Sequence, residues 1–493
     1  MSNVLLPLDK LNPPGRDKEL EEISGLIKKG QDIILIGPRR VGKTTIINAI
    51  KRRFEKEYSV INYDCMESRN IPELYTKLYV KSKPLEIFVS SIGKKKQNEL
   101  GKERELAEKV IKELHHEPFL IENIMRPDSP DNVEEKNIKN SDAFLLILGK
   151  KESNAVEKEY NFALTHNIPL FCMIKGSDDK EREEGVKRII KDIKEKEKIV
   201  YKRYSDTKEF EENLKEGIKE KDKEWRKEKI KRIRDEIRDE KWTWQDIGDK
   251  FWDIIKEQKD KNYLFLIDEF GELREDKMVK NKKIDFGNFM AHFSAKIKEK
   301  PNRVSFILTG SENIFTFPPY QKDFTNFKNV RVSLFDTNTA KKMLKNKMPN
   351  LTDEIATNVI EKFGTLPYDL QLFLSESKDA YDYSEEKVNS ILKKLVKDDG
   401  LKTRDVFFKY LDDESKKLAE EILPELIKVG LKREELKVYS KSKNFDTFLD
   451  NLTNRFFILE MNDFYYHPVS KFLAWAVVYY DKDIERFNSL LKT

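Results

Sequence analysis

The residues best suited to chemistry lie in the stretch Gly37–Thr45, which reads GPRRVGKTT. It fits the pattern GxxxxGK[ST], in which glycines turn backbone N–H groups toward a phosphate, a lysine reaches the terminal phosphates and a hydroxyl ligands Mg²⁺. The apolar run 32–36 precedes the stretch, and a helical pattern from residue 46 to about 57 follows it. Because a phosphate loop needs a strand before it and a helix start behind it, the sequence predicts binding of ATP with Mg²⁺.

Every residue of this loop is a candidate contact to the nucleotide. We expect Lys43 to act on the β- and γ-phosphates and Thr44 to ligand the metal. The complete set of loop candidates is Gly37, Pro38, Arg39, Arg40, Val41, Gly42, Lys43, Thr44 and Thr45.

Two adjacent acids, Asp268 and Glu269, end a second apolar run that begins at Tyr263. A buried strand of this kind would deliver Asp268 to the outer sphere of Mg²⁺ and leave Glu269 to orient and activate water. Together with the phosphate loop, the pair predicts ATP hydrolysis and not only ATP binding.

Composition restricts the remaining possibilities. A chain of 493 residues is too long for one core, and its 95 Lys and Arg nearly balance its 90 Asp and Glu, which argues against a protein that coats a polyanion. The two cysteines lie far apart, so a disulfide framework is not expected, and with five scattered histidines they offer no metal-ligand spacing. No signal peptide or membrane-spanning run is recognised, so we expect a soluble, cytoplasmic protein without a membrane partner.

The elements around these residues predict an α/β fold. Strands and helices alternate between the two motifs, which lie more than two hundred residues apart, so a second doubly wound parallel domain is inserted into the first. The charged stretch 211–238 is expected to be a solvated bridging helix, and the aromatic helix 242–256 to pack in a core through Trp242, Trp244, Ile247, Phe251 and Ile254. The predicted domains are an ATPase core in two parts (1–83 and 226–336), the insert (84–225), a helical lid (337–399) and a winged helix (400–493) with a hairpin at Met461–Asp463.

The motif GRxxEL, which begins at Gly15 upstream of the loop, resembles the opening of archaeal ATPases in the STAND/AAA-like branch of P-loop NTPases. The resemblance implies a P-loop NTPase sheet, with Gly15 and Arg16 close to the adenine and Pro367 of the lid approaching it. It also implies that Thr309 and Ser311, at the end of the next strand, meet the γ-phosphate or the attacking water. Each assignment has a purely structural alternative: a solvated helix start for Gly15 and Arg16, helix capping for Pro367, and a strand-to-loop transition for Thr309 and Ser311. The sequence does not identify an arginine finger.

The insert resembles TIR-like and nucleoside deoxyribosyltransferase-like domains. The resemblance is carried by IFVSS at residues 87–91, KNSDAFLLILG at 139–149 and E-Y-x-x-A from Glu159. It implies that Glu159 acts at the ribosyl C1′ of NAD or a nucleoside, with Ser90, Ser91 and Asp142 lining the carboxyl ends of the strands. The usual signatures of both families are absent, and Glu157 and Glu159 suit a helix start in any case. A catalytically silent sensing or assembly domain therefore stays open.

The sequence favours a Mg²⁺-dependent ATPase that works as a STAND-like nucleotide-driven switch, with an insert that cleaves or senses NAD or nucleotides in defence signalling. The alternative is a DNA-binding ATPase whose insert is a non-catalytic interaction module. A sensor that binds ATP with little turnover is a third interpretation. Homo-oligomerisation and DNA contact through the winged helix are left open.

Overall fold

The structure is a computed structural model of the chain, and it divides the chain into two compact units. The split unit contains residues up to Ile71 and from Gln258 onward, and the central unit contains Pro72–Glu257. The described residues are 13–67, 70–92, 99–120, 130–196, 199–274, 286–310, 324–377, 384–408, 411, 413–427, 431–439, 445–454, 458–460, 465–480 and 484–491.

The strands are β1 (Ile33–Ile36), β2 (Ser59–Asp64), β3 (Glu86–Ser90), β4 (Glu117–Phe119), β5 (Ala143–Leu148), β6 (Leu170–Lys175), β7 (Val200–Tyr204), β8 (Tyr263–Asp268), β9 (Val304–Gly310), β10 (Lys328–Arg331), β11 (Leu431–Lys432), β12 (Ile458–Glu460) and β13 (Tyr465–Pro468). The helices of the first half are α1 (Asp17–Lys28), α2 (Lys43–Phe54), α3 (Ile71–Ser82), α4 (Gly101–Glu113), α5 (Pro130–Asn140), α6 (Asn154–Thr165), α7 (Glu184–Glu195), α8 (Thr207–Arg238) and α9 (Trp244–Glu257). Those of the second half are α10 (Phe286–Lys298), α11 (Thr337–Lys347), α12 (Asp353–Phe363), α13 (Pro367–Glu376), α14 (Glu385–Phe408), α15 (Asp413–Ile422), α16 (Arg433–Tyr439), α17 (Phe445–Asn454), α18 (Lys471–Tyr480) and α19 (Ile484–Leu491).

In the split unit, apolar runs form a parallel sheet in the order β10-β1-β9-β8-β2. Strands β8 and β9 are buried at every residue, as expected when helices cover both faces of a parallel sheet. Leu264 and Leu266 belong to a cluster with α1 and α2, whereas Phe265 stacks on Phe306, which contacts Phe293 of α10. Because β9 separates β1 from β8, its carboxyl end lies between the loop that follows β1 and the acids that follow β8.

The lid and the C-terminal region share one apolar cluster in the split unit, which extends from Phe335 to Leu491. Helices α14 and α18 pack on each other within it, and the Trp475 indole of α18 donates a hydrogen bond to the Lys362 carbonyl of α12 at 2.9 Å. Strands β11, β13 and β12 form an antiparallel sheet in that order. The predicted hairpin turn at Met461–Asp463 lies outside the described residues, and the name winged helix stays a prediction.

In the central unit, the strands form a second parallel sheet in the order β4-β3-β5-β6-β7. Alternate residues of its strands point to opposite faces, where α4 and α8 cover one face and α5, α6 and α7 cover the other. The predicted α/β fold with parallel sheets is confirmed, whereas the inserted doubly wound domain stays a prediction. The compact unit also includes α3 and α9, which lie beyond the predicted limits 84–225, and those limits stay a prediction.

The interpretation of residues 211–238 as a solvated helix is wrong in part. They belong to α8, whose residues Leu214, Ile218 and Trp225 are buried in the core of the central unit. These apolar residues are too sparse among the charged ones to dominate the pattern. Their spacings of i+4 and i+7 nevertheless keep them on one face of the helix. In α9 the buried face is also rotated from the predicted one, with Trp252 and Ile255 buried in place of Ile254.

No helix in the ranges that the structure describes combines the length and the apolar character needed to cross a membrane.

Asp369 of α13 is a buried carboxyl group in the lid. Its Oδ2 accepts a hydrogen bond from the Ser470 hydroxyl at 2.7 Å, and burial raises the pKa of Asp369 to about 7 despite the favourable contacts with Ser470, the Phe472 N–H and the Arg40 charge. An unfolded aspartate ionises near pH 4 (~3.9), so between that pH and 7 the folded protein keeps a proton that the unfolded chain releases. Stability conferred by the neutral carboxyl is therefore lost as the pH rises through this window.

We expect Asp369→Asn to be more stabilising, or less destabilising, at pH 8 than at pH 5, because the amide cannot ionise in the core. Between pH 5 and the Asp369 pKa of about 7, the wild type loses about 1.4 kcal/mol of stability per pH unit, so the effect of the substitution should differ by about 3 kcal/mol between the two pH values. Denaturant unfolding of both proteins at the two pH values measures it. Glu376→Gln, on the same helix at the surface, is the control, and an equal effect of Asp369→Asn at both pH values would contradict the assignment.

Candidate nucleotide site

Asp268 is the centre of a hydrogen-bonded cluster at the carboxyl edge of the split-unit sheet. The Thr44 hydroxyl donates to Asp268 Oδ2 at 2.6 Å, and the Thr309 hydroxyl donates to Asp268 Oδ1. The backbone N–H of Glu269 donates to Asp268 Oδ1 and to Thr309 Oγ1, each at 3.1 Å. Three elements that are remote in sequence therefore meet at one carboxylate. Ser311, the other candidate of this strand, lies outside the described residues.

Two glycines of the loop occupy positions that a side chain would disturb. A Cβ on Gly37 would come within 2.4 Å of the Val332 carbonyl oxygen, so the loop backbone passes close to the chain after β10. Gly42 has φ 103°, a left-handed conformation that side chains rarely adopt, and it directly precedes α2. The first turn of α2 thus begins at Lys43 with its N–H groups open toward the loop.

Lys43 is buried beneath the loop. Its ammonium donates to the carbonyl oxygens of Gly37 at 2.9 Å and Pro38 at 2.8 Å, so the loop itself fixes the position of the charge. Burial lowers the pKa of Lys43 to about 8, although the negative charges of Glu269 and Asp268 oppose the shift. The lysine is still mostly protonated near neutral pH, where it can meet phosphate.

The two loop arginines have partners that the sequence did not predict. Arg39 pairs with the buried Glu272 at 3.2 Å. The guanidinium of Arg40 lies over the ring of Tyr368, 3.8 Å from its centroid. Arg40 has φ 63°, a strained conformation that costs a residue with a side chain about 1–3 kcal/mol and occurs mostly where the surroundings impose it. The only sequence signal for Glu272 is a third acid four residues after Asp268.

Arg16, which precedes α1, contacts both the phosphate loop and the chain after β10. Its guanidinium donates to the Val41 carbonyl at 2.7 Å and to the Ser333 carbonyl at 2.9 Å, and lies 4.6 Å from the centroid of the Phe335 ring. The guanidinium N–H groups in these two hydrogen bonds therefore contact the protein backbone and are not directed at an adenine base. Gly15 has φ 67° and packs so closely on Thr339 that a Cβ would lie 2.1 Å from its methyl group.

The remaining candidates are Pro367 in the lid and two residues of the loop. Pro367 is the first residue of α13. In the loop, the Val41 side chain is buried. Thr45 is half-buried in the first turn of α2, next to the exposed Thr44. No described contact links Pro367 to the loop, but the next residue, Tyr368, reaches Arg40. Pro367 is therefore linked to the loop through its neighbour Tyr368, which contacts Arg40.

The donor set fits a small hard cation. A threonine hydroxyl and an aspartate carboxylate, joined by a 2.6 Å hydrogen bond, supply oxygen atoms of the kind that Mg²⁺ prefers. Mg²⁺ keeps several waters or phosphate oxygens, so two protein groups at an otherwise open edge are sufficient. Thr44 and Asp268 are the residues that would hold the metal beside a triphosphate.

A second polar cluster lies in the central unit where β3 and β5 end. Ser90 Oγ donates to Glu159 Oε2 at 2.5 Å, and both residues are buried. The adjacent Ser91 accepts a 2.6 Å hydrogen bond from the buried Arg104, a residue that the sequence did not single out. In a sheet of this order the connections from β3 and β5 run to opposite sides, which makes this edge the usual ligand position of doubly wound folds.

The structure also separates the two acids of α6. Glu157 faces outward and pairs with Arg188 at 3.3 Å, whereas Glu159 points to the end of β3. The placement of Asp142 at the carboxyl ends of the strands was wrong. Asp142 precedes β5, at the amino end, where it pairs with Lys229 at 2.5 Å and Arg232 at 3.2 Å. Because Asp142 directly precedes the apolar run in the sequence, its position at the amino end followed from the chain direction, and the prediction overlooked this.

Comparisons with known proteins give one family and a distant structural similarity. Residues 86–219 match a family described as a domain of unknown function (DUF4062). No curated protein matches the chain. Among solved structures, a Walker-type ATPase of Pyrococcus abyssi is similar at 14% identity, with 96% of this chain and 98% of that chain covered and a TM-score of 0.46.

We expect ATP affinity to fall as the pH rises above 8, because Lys43 then loses the proton with which it binds phosphate. The loss should approach about tenfold per pH unit, the slope for removal of one proton. Titration with ATP between pH 7 and 10 measures it. Lys43→Arg is the matched control, since a guanidinium stays protonated over this range, and parallel profiles for the two proteins would contradict the role of the ammonium.

Proposed function

We propose that the protein is a Mg²⁺-dependent ATPase in which nucleotide binding acts as a switch. The observation that carries the proposal is the convergence of Thr44, Asp268 and Thr309 beside the buried ammonium of Lys43. A loop of backbone N–H groups, a cation and a carboxylate–hydroxyl pair are the groups that triphosphate binding requires.

The role proposed for Glu269 is to orient and activate water. Its N–H is held by Asp268 and Thr309, and its φ of 51° turns it away from the line of β8, so the carboxylate starts from a fixed backbone position. Lys43 would hold the phosphate oxygens, and Thr309 would position the Asp268 carboxylate. Mg²⁺, when bound, would offset negative charge on the phosphates.

The path of the chain supports a switch. Strand β2 pairs with β8 so that Asp64 lies opposite Asp268, and the N–H of Cys65 donates to the Asp268 carbonyl at 3.0 Å. The chain enters the central unit at residue 72, a few residues after this bond. A shift of Asp268 on nucleotide binding or hydrolysis would therefore act directly on the segment that leads into the central unit.

We expect Glu269→Gln to bind ATP with nearly unchanged affinity and to hydrolyse it at least about 10²-fold more slowly, since the amide cannot accept the proton of water. Lys43→Ala should bind ATP much more weakly. Equilibrium binding and steady-state ADP release measure the two properties. Wild-type turnover by Glu269→Gln would remove this residue from the chemistry, and unchanged ATP affinity of Lys43→Ala would contradict the phosphate-loop assignment.

The rival function is a DNA-binding ATPase with a non-catalytic insert. The sheet order β11-β13-β12 is compatible with a winged helix, in which α17 would occupy the position of a DNA-reading helix. The sequence of α17, FDTFLDNLTN, contains two aspartates and no lysine or arginine, and Asp446 already pairs with Arg433 at 3.1 Å. An acidic helix suits protein contacts better than a phosphate backbone, so we favour the switch. Stimulation of ATP turnover by DNA would favour the rival.

For the insert we propose a nucleoside-type or NAD-type ligand at Ser90 and Glu159, with cleavage of the glycosidic bond as its activity. The supporting observations are the 2.5 Å hydrogen bond between these two residues and their place at the switch point of the sheet. A carboxylate there could stabilise an oxocarbenium-like centre or form a ribosyl ester. The TIR-like resemblance, and with it a role in defence signalling, adds to the proposal only by similarity.

We expect Glu159→Gln to abolish any NAD loss seen with ATP and Mg²⁺, because the amide neither attacks nor stabilises the ribosyl cation. Glu157→Gln changes the same type of residue on the same helix at an outward position and should retain the activity. Nicotinamide and ADP-ribose are quantified after incubation with NAD. Equal NAD loss by wild type and Glu159→Gln would exclude this carboxylate from the chemistry.

A further inference from the structure

Arg40 is the point at which the phosphate loop touches both the lid and the C-terminal helices. Its guanidinium stacks on Tyr368 of α13 and donates a long hydrogen bond of 3.4 Å to the buried hydroxyl of Thr403 on α14. The loop segment that carries the side chain is held in a left-handed conformation at Arg40. A change in the loop backbone at this residue must therefore move the guanidinium relative to α13 and α14.

The residue after Tyr368 connects α13 to α18. The Oδ2 atom of Asp369 accepts from the Ser470 hydroxyl at 2.7 Å and from the Phe472 N–H at 3.4 Å. Ser470 in turn caps α18, because its Oγ accepts from the Leu473 N–H at 3.0 Å. Besides the shared apolar cluster, these polar contacts between α13 and the start of α18 all go to one carboxylate.

The other oxygen of this carboxylate is unused. Asp369 is fully buried, and among the described residues none donates a hydrogen bond to its Oδ1. The charge of Arg40 favours the ionised form of Asp369 and so opposes the effect of burial on its pKa. A buried acceptor without a donor is costly, and an ion pair with Arg40 is the arrangement that would satisfy it.

We propose that Arg40 couples the nucleotide site to the C-terminal region by moving between two sets of contacts. In the described arrangement its guanidinium contacts Tyr368 and Thr403. When a nucleoside triphosphate occupies the loop, the guanidinium forms an ion pair with Asp369 Oδ1, which stabilises the contact between α13 and α18. The inference rests on the proposed function, since it requires the loop to bind a triphosphate. By linkage, a contact made only in the nucleotide-bound form also strengthens nucleotide binding.

Hydrogen exchange with and without saturating ATP and Mg²⁺ at pH 8, where Asp369 is largely ionised, tests the coupling. The peptides to follow cover residues 367–376 and 471–480. In wild type, ATP should slow exchange in both peptides, by about fivefold or more at the first turn of α18. In Arg40→Ala and in Asp369→Asn the ATP-dependent slowing should be lost, with each variant measured at an ATP concentration that its own binding titration shows to be saturating. The double variant should lose no more than either single variant, because both remove the same pair.

Lys394→Ala is the matched control. It also removes a cation–carboxylate contact between α14 and α13, the pair of Lys394 with Glu376, but at the surface and away from the loop. It should keep the wild-type response to ATP. Wild-type ATP protection of α18 in Asp369→Asn, or additive losses in the double variant, would overturn the coupling. Failure of the wild type to bind ATP would instead overturn the proposed function, so the two failures are distinguishable.

Discussion

The structure of the split unit depends on the Asp268 carboxylate. It is buried, and the three donors that satisfy it come from the loop after β1, the end of β9 and the backbone that follows β8. A buried carboxylate without such donors would be strongly unfavourable, so these elements must converge for the sheet to close at this edge. The same oxygen atoms are those that a magnesium–triphosphate complex would share, which links folding of the edge to its chemistry.

The nucleotide site is also connected to distant parts of the chain through specific polar contacts. Cys65 joins Asp268 to the segment that enters the central unit, and Arg40 joins the loop to α13 and α14. Hydrogen bonds are directional, so a shift of either partner on nucleotide binding would weaken or break such a contact. A switch is therefore a physically reasonable output for hydrolysis at this site.

The sequence predicts the motif residues of the nucleotide site, whereas it does not predict their tertiary contacts. Glycine spacing, an apolar run and two acids are local signals, and they located Gly37, Lys43 and Asp268 without any knowledge of the fold. Contacts such as Arg39 with Glu272, Arg40 with Tyr368 or Ser91 with Arg104 join residues whose pairing is set by tertiary packing. Asp142 was misplaced although its position directly before the apolar run already indicated the amino end of the strand. The buried face of α8 was missed because charges outnumber its apolar residues.

The most direct test of the account is the metal dependence of ATP binding. ATP affinity is measured by titration calorimetry with Mg²⁺ and with EDTA, for wild type and for Asp268→Asn. The account predicts that Mg²⁺ strengthens ATP binding by wild type at least about tenfold and has little effect on the variant, since an amide is a poorer partner than a carboxylate for the hydrated ion. An equal effect of Mg²⁺ on both proteins would contradict the central role of Asp268.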